Sequence, residues 1–204
     1  MIRNLIFDFG KVLVDYDFPS VIHSFFEGQA PGREEEFYDF LIKEDWQSIS
    51  DREAKPLPEF YEEMRQLYPQ FATEITRMDS EFQRFIIGEI PGMREVLAKL
   101  KASGYHLYGL SNWSSKVYQT MERFPEIFSY LEGSVISSEV HLLKPEPEIY
   151  QALLEKFSLD ASECLFADDR PENIEGCRSV GIEGVVFTTT EAYLADLKRF
   201  GIEI

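Results

Sequence analysis

Asn4-Leu5-Ile6-Phe7-Asp8-Phe9-Gly10-Lys11-Val12-Leu13-Val14-Asp15 is the stretch on which the reading of the chain turns. Leu5-Ile6-Phe7 is a short apolar run of the kind that forms a buried strand, and Asp8 stands where the run ends. Gly10 lets the chain turn sharply before a second apolar segment, Val12-Leu13-Val14. In an open α/β sheet, ligands bind beyond the carboxyl ends of the strands, which would put Asp8 at the mouth of a site. Asp and Gly are also ordinary turn residues, so the stretch alone leaves both readings open. The later strand ends must decide.

The rest of the sequence has the layout of such a sheet. From about Pro19 to Gly88 there is little sign of strands, and apolar residues recur at helical spacing. Val21, Ile22, Phe25 and Phe26 make one face, and Phe37, Phe40 and Leu41 a second. Phe60, Met64 and Leu67 make a third, and Ile75, Met78, Phe82, Phe85 and Ile86 a fourth. Gly28 to Gly32, Asp51 to Pro58 and Tyr68-Pro69 punctuate them, which predicts a small bundle of about four helices. From Ile90-Pro91-Gly92 onward strands and helices alternate, with strands expected at Tyr105 to Leu110, Val135 to Ser137, Cys164 to Ala167 and Gly184 to Phe187. Alternation of this kind implies a parallel sheet covered by helices on both faces. The first strand therefore belongs with residues 89–204, giving a core of 1–17 and 89–204 and an inserted helical unit at 18–88.

Composition limits the function. With 204 residues, 44% hydrophobic and 28% charged, this is globular material for one sizeable core with an insert. No stretch approaches the ~20 apolar residues of a membrane span, and residues 2–7 read as strand rather than as part of a leader, so a cytoplasmic protein is expected. A formal charge of −17 argues against a nucleic-acid partner. A small anionic substrate would have to be held by a few local cations. Cys164 and Cys177 lack metal-type spacing and read as buried thiols, while His23, His106 and His141 read as structural.

Three further strand ends carry chemistry. Strand two closes on Leu110-Ser111-Asn112, where a hydroxyl beside backbone N–H groups can hold an anion or merely cap a helix. After strand three, Lys144 sits between Leu142-Leu143 and the stiffening Pro145-Glu146-Pro147, either aimed inward or at the surface. Strand four runs out into Asp168-Asp169-Arg170-Pro171. The adjacent carboxylates repel each other unless a cation lies between them, although one aspartate alone could cap the helix that Pro171 begins.

With these four segments in order, the chain resembles the haloacid dehalogenase superfamily of hydrolases over essentially its whole length. The likeness is to the subgroup with a helical cap after the first strand of a Rossmann-like α/β core. The resemblance implies that Asp8 is a nucleophile that becomes an aspartyl-phosphate, that Ser111 and the backbone of Asn112 bind phosphate, and that Lys144 bridges nucleophile and phosphate. It also implies Mg²⁺ held chiefly by Asp169, with Asp168 contributing directly or through water, and with Asp8 and the Gly10 carbonyl completing the set. The expected substrate is a small anionic phosphorylated metabolite.

Gly10 departs from the family pattern. Most of its phosphatases carry a second aspartate there, which protonates the leaving oxygen and then activates water, and such assistance is worth roughly 10²–10⁴-fold. One explanation is a phosphatase acting on good leaving groups, such as a hexose 1-phosphate, or borrowing an acid from the cap. A subgroup with a Phe-Asp-x-Gly-x-Val first motif looks similar and includes sugar-phosphate phosphatases. A second is a metal-independent 2-haloacid dehalogenase, for which adjacent Asp168 and Asp169 would be an unneeded repulsive pair. A third is a catalytically weak binding module. Trp46, Asp51 and Arg52, in the middle of the cap, are candidates to face the site, with Arg52 as a second cation. Asp15 and Asp17 at the hinge are candidates for the missing proton, and Arg170 for flanking the metal loop.

Overall fold

Alternation of side chains along the strands organises the core. In the computed structural model, which describes all 204 residues, β1 (Asn4–Phe7) lies at the centre of a five-stranded parallel sheet. The other strands are β4 (His106–Ser111), β5 (Gly133–Ile136), β6 (Cys164–Asp168) and β7 (Glu183–Val186), in the order β5-β4-β1-β6-β7. Leu5 and Phe7 face one buried cluster with Leu107, Leu165 and Ala167. Ile6 faces the opposite one with Tyr108, Val135, Cys164 and Phe166. Strands buried on both faces read as unbroken apolar runs, which is why they were visible in the sequence.

Helices cover both faces. They are α6 (Met93–Ala102), α7 (Val117–Arg123), α8 (Pro125–Phe128), α9 (Ser137–Val140), α10 (Pro147–Phe157), α11 (Pro171–Ser179) and α12 (Thr190–Arg199). The chain runs from β1 through β4 to β5 on one side and then crosses back to β6 and β7 on the other. The order reverses at β1, and there a crevice opens at the carboxyl ends. Both cysteines are buried free thiols.

Between β1 and the rest of the sheet comes the helical insertion. It holds α1 (Phe18–Phe26), α2 (Arg33–Lys43), α3 (Trp46–Arg52), α4 (Leu57–Leu67) and α5 (Ala72–Ser80) around a cluster of its own. Val21, Ile22, Phe25 and Phe26 are all buried in α1, as their spacing predicts. Five α-helices form where about four were expected. The additional one, α3, has only seven residues, too few to display a period, and its Ile49 is exposed.

The sequence also hid an antiparallel ribbon of β2 (Val14–Tyr16) and β3 (Ile86–Glu89), which joins the insertion to the core. No helix is long and apolar enough to cross a membrane.

Candidate active site

Register brings the strand ends together. Phe7 pairs with Gly109 on one side and Ala167 on the other, so Asp8 lies level with Leu110 and Asp168, and Ser111 is one residue beyond. The Asp8 N–H continues the sheet by donating to the Ala167 carbonyl at 2.9 Å.

Asp8 is buried and its two oxygens are treated differently. Oδ1 accepts from the Phe9 N–H at 2.7 Å and the Ser111 hydroxyl at 2.8 Å, and the Lys144 ammonium lies 2.9 Å away. Oδ2 accepts none of these bonds. Lys144 is itself buried and donates to Asp168 Oδ2 at 2.7 Å and to the Leu110 carbonyl at 3.0 Å. Asn112 fixes its main chain from both sides, donating to the Lys144 carbonyl at 3.0 Å and accepting from the Lys144 N–H at 2.8 Å. Asp168 also accepts from the Arg170 N–H and the Asn173 amide, so a fully buried carboxylate has a donor at every turn.

The electrostatics follow from this packing. Burial pushes the Asp8 carboxyl up to about 6, with Lys144 drawing it back and Asp168 adding repulsion. Burial would lower the Lys144 ammonium, but Asp168 and Asp8 outweigh it and leave its pKa raised. Asp169 is raised by burial and then by Asp168, partly offset by Lys144.

Asp8, Asp168 and Asp169 each offer one carboxylate oxygen, all within 4.8 Å of one another. Hard oxygen donors of this kind suit Mg²⁺ better than a softer metal, so the residues fit the ion that the resemblance implies.

Above these groups lies a cavity of about 770 Å³. Its floor includes Asp8, Gly10, Ser111, Asn112, Lys144, Asp169 and Arg170, and its roof is helical, with Leu41, Trp46, Asp51, Tyr61 and Met78. That size suits a small metabolite.

Trp46, expected near the substrate, does line this cavity, though mostly buried against Phe40, Phe60 and Tyr61. Arg52 does not line it. Its guanidinium turns to the core surface, pairing with Glu146 and donating to the His141 carbonyl at 2.9 Å. The expected second cation for substrate is therefore spent on a contact between insertion and core.

Asp15 and Asp17 are also directed elsewhere. Asp15 pairs with Lys11, and Asp17 caps α1 through the Ser20 N–H at 3.0 Å. Arg170 reaches the cavity while pairing with Glu172. Two residues that the sequence reading did not connect meet at Gly10: a Cβ added there would lie 2.9 Å from Tyr16 Cε1. The Tyr16 ring occupies the space into which a side chain at position 10 would grow.

Comparison with known proteins gives a consistent result. The sequence profile of the haloacid dehalogenase-like hydrolases matches residues 2–181. A D-ribitol-5-phosphate phosphatase from Bacteroides thetaiotaomicron is 26% identical over 202 residues, 90% of each chain. A glyceraldehyde 3-phosphate phosphatase from Pyrococcus abyssi is 35% identical over 101 residues, 48% of this chain and 42% of that protein. The chain thus spans under half the length of some of the curated relatives it matches. Among solved structures, a haloacid dehalogenase family enzyme from B. thetaiotaomicron superposes with a TM-score of 0.75 at 25% identity, covering 93% of this chain and 96% of that one. It is a point mutant in complex with magnesium and inorganic phosphate.

Proposed function

The chain belongs to the haloacid dehalogenase-like hydrolases, and from that membership we propose that it is a Mg²⁺-dependent phosphatase of small phosphate monoesters with Asp8 as nucleophile. The observation that carries the reading is the asymmetry of Asp8. Three donors hold Oδ1, leaving Oδ2 without a hydrogen bond in a residue that lines the cavity. An oriented carboxylate with one free oxygen is suited to in-line attack on phosphorus.

Asp8, Asp169 and Asp168, with the Gly10 carbonyl, would hold the ion. Bound there, Mg²⁺ supplies positive charge that lets a phosphate dianion approach an anionic Asp8. Lys144, pinned by Asp168 and by Asn112, provides a second fixed charge on the same oxygen cluster. The Ser111 hydroxyl, which donates to Asp8 here, is free to turn to a phosphate oxygen when substrate enters. Attack forms the Asp8 Oδ2–P bond and breaks the ester P–O bond, and water then hydrolyses the aspartyl-phosphate.

Sugar phosphates are the first class to screen, given the first motif and the size of the cavity. A dehalogenase would leave Asp169 without a task, and halide release from 2-chloropropionate in the presence of chelator distinguishes that activity. The direct test is Asp8→Asn, which should abolish Mg²⁺-dependent phosphate release. Turnover retained in that variant refutes the assignment.

A further inference from the structure

A phosphatase with glycine at position 10 needs its leaving-group proton from elsewhere, and the insertion carries a carboxyl group into the cavity. Three consecutive residues at the end of α3 are docked on the core. The Asp51 carbonyl accepts from the Ser137 hydroxyl at 2.6 Å. The same hydroxyl accepts from the Trp113 N–H at 2.9 Å, which ties Asp51 to the loop that follows Ser111. Arg52 pairs with Glu146, and its carbonyl lies 3.0 Å from His141 Nδ1. Glu53 accepts from the Ser115 N–H at 2.7 Å and from its hydroxyl at 3.0 Å. With the backbone held on both sides, the half-buried Asp51 side chain shares the cavity with Asp8, Ser111, Lys144 and Asp169.

The other acids are less well placed. Asp15 and Asp17 are paired elsewhere, and Asp45 is exposed at the start of α3. Asp169 lies among the carboxylates that would hold the ion. Tyr16 and Tyr61 also line the cavity, but burial pushes both phenols up, Tyr16 to about 12, making them poorer proton donors.

We propose, on the phosphatase reading above, that Asp51 is the catalytic acid and base of this enzyme, supplied by the docked cap in place of a side chain at position 10. In the first step the ester P–O bond breaks, the Asp8–P bond forms, and the Asp51 proton passes to the departing oxygen to give the alcohol. In the second, the Asp51 carboxylate takes a proton from water as the water oxygen bonds to phosphorus. The Asp8–P bond then breaks, and phosphate leaves with both aspartates restored.

The surroundings favour the protonated form at the start of this cycle. Burial raises the Asp51 carboxyl to about 8, the Gln47 side chain draws it down, and Asp8 pushes it up. Lys144 and the Ser114 N–H lower it in part. A group titrating near neutrality is matched to donating and recovering a proton in each turnover.

The test compares Asp51→Asn with the native enzyme at saturating Mg²⁺ on p-nitrophenyl phosphate, phenyl phosphate and a primary alkyl phosphate. Asp51→Asn should lower kcat/KM on the alkyl ester by roughly 10²–10⁴-fold. Release of the first p-nitrophenolate should fall by less than about 10-fold, followed by a slow steady state as the aspartyl-phosphate accumulates. Asp51→Ala, assayed with and without added acetate, separates loss of an acid from loss of a fold: acetate should restore alkyl-ester turnover.

Equal losses on all three esters, no loss, or failure of acetate to rescue overturns the proposal. So does selective loss in Tyr16→Phe instead. If the native enzyme shows no Asp8-dependent turnover of any phosphate ester, the phosphatase reading falls and the proposal with it. Native activity that Asp51→Asn leaves intact overturns the proposal alone.

Discussion

Replacing Lys144 by methionine keeps most of the side-chain volume and removes the charge that separates two buried carboxylates. The ammonium lies 2.9 Å from Asp8 Oδ1 and 2.7 Å from Asp168 Oδ2, and Asp168 is fully buried. Taking one partner from a buried ion pair typically costs about 3–5 kcal/mol, because the other charge stays behind uncompensated. That is a large share of the roughly 5–15 kcal/mol by which domains are stable.

The loss should depend on pH. The native pKa of Lys144 is raised, so its contribution is complete below the unfolded lysine value and fades only as pH climbs through the folded one. Over the range from 4 to 8 the Lys144 term is therefore flat, while Asp8, raised to about 6, already lowers native stability as pH climbs from about 4 towards that value. Removing Lys144 takes away the charge that draws the Asp8 carboxyl down, so in the variant stability falls over a wider range as pH rises above about 4, by up to about 1.4 kcal/mol per pH unit.

Urea denaturation in chelator should show Lys144→Met about 3–5 kcal/mol weaker than native at pH 7, with a smaller deficit at pH 4, where Asp8 is protonated. Adding Asp168→Asn to the variant should recover part of the loss at pH 7, since it removes one of the stranded charges. Equal urea midpoints for native protein and Lys144→Met at pH 7 would refute this account of the site.

Gly10→Ala should cost about 1–3 kcal/mol in urea denaturation, because its Cβ would overlap the Tyr16 ring, and Tyr16→Ala should relieve the cost. Asp51→Asn should stabilise the protein while impairing turnover. The folded carboxyl titrates near 8 against an unfolded value of 3.8, so its destabilising effect is absent below about pH 4 and grows as pH rises between the two. A melting-temperature gain at pH 7.5, equivalent to about 1–3 kcal/mol, and none at pH 4 is the expected pattern. Mg²⁺ at a hundred times its dissociation constant should raise native stability by about 2.7 kcal/mol, and Asp169→Asn should remove most of that gain in thermal melts. An unchanged response would take Asp169 out of the ion site.

What was legible in the sequence was what period and chain order encode. Leu5-Ile6-Phe7 and Cys164 to Ala167 read as doubly buried strands because their side chains are apolar on both faces. Asp8, Ser111, Lys144 and Asp169 stood out as polar residues where such runs end, and the sheet brings them to one cavity. The β2–β3 ribbon did not stand out: Val14–Tyr16 is three residues long, and its partner lies beyond the whole helical insertion. Arg52 read as a free cation because Glu146 lies 94 residues away, and no local pattern announces such a pair. Asp51 was read from its place in the punctuated middle of the cap as a candidate to face the site, and it does line the cavity. Its environment comes from the docking of α3 on the core, which no local pattern in the sequence encodes.

The grip of residues 51 to 53 on Ser137, Glu146 and Ser115 also holds Asp51 in place at the cavity. A guest that displaced this segment would carry Asp51 away from the cavity with it. On the Asp51 proposal, only a guest that leaves the segment seated keeps that proton within reach. On the same proposal, an oversized ester that displaced the segment would sit beside Asp8 with no proton at hand. Discrimination would then be exercised by fit of the whole occupant, with the phosphate serving merely as admission.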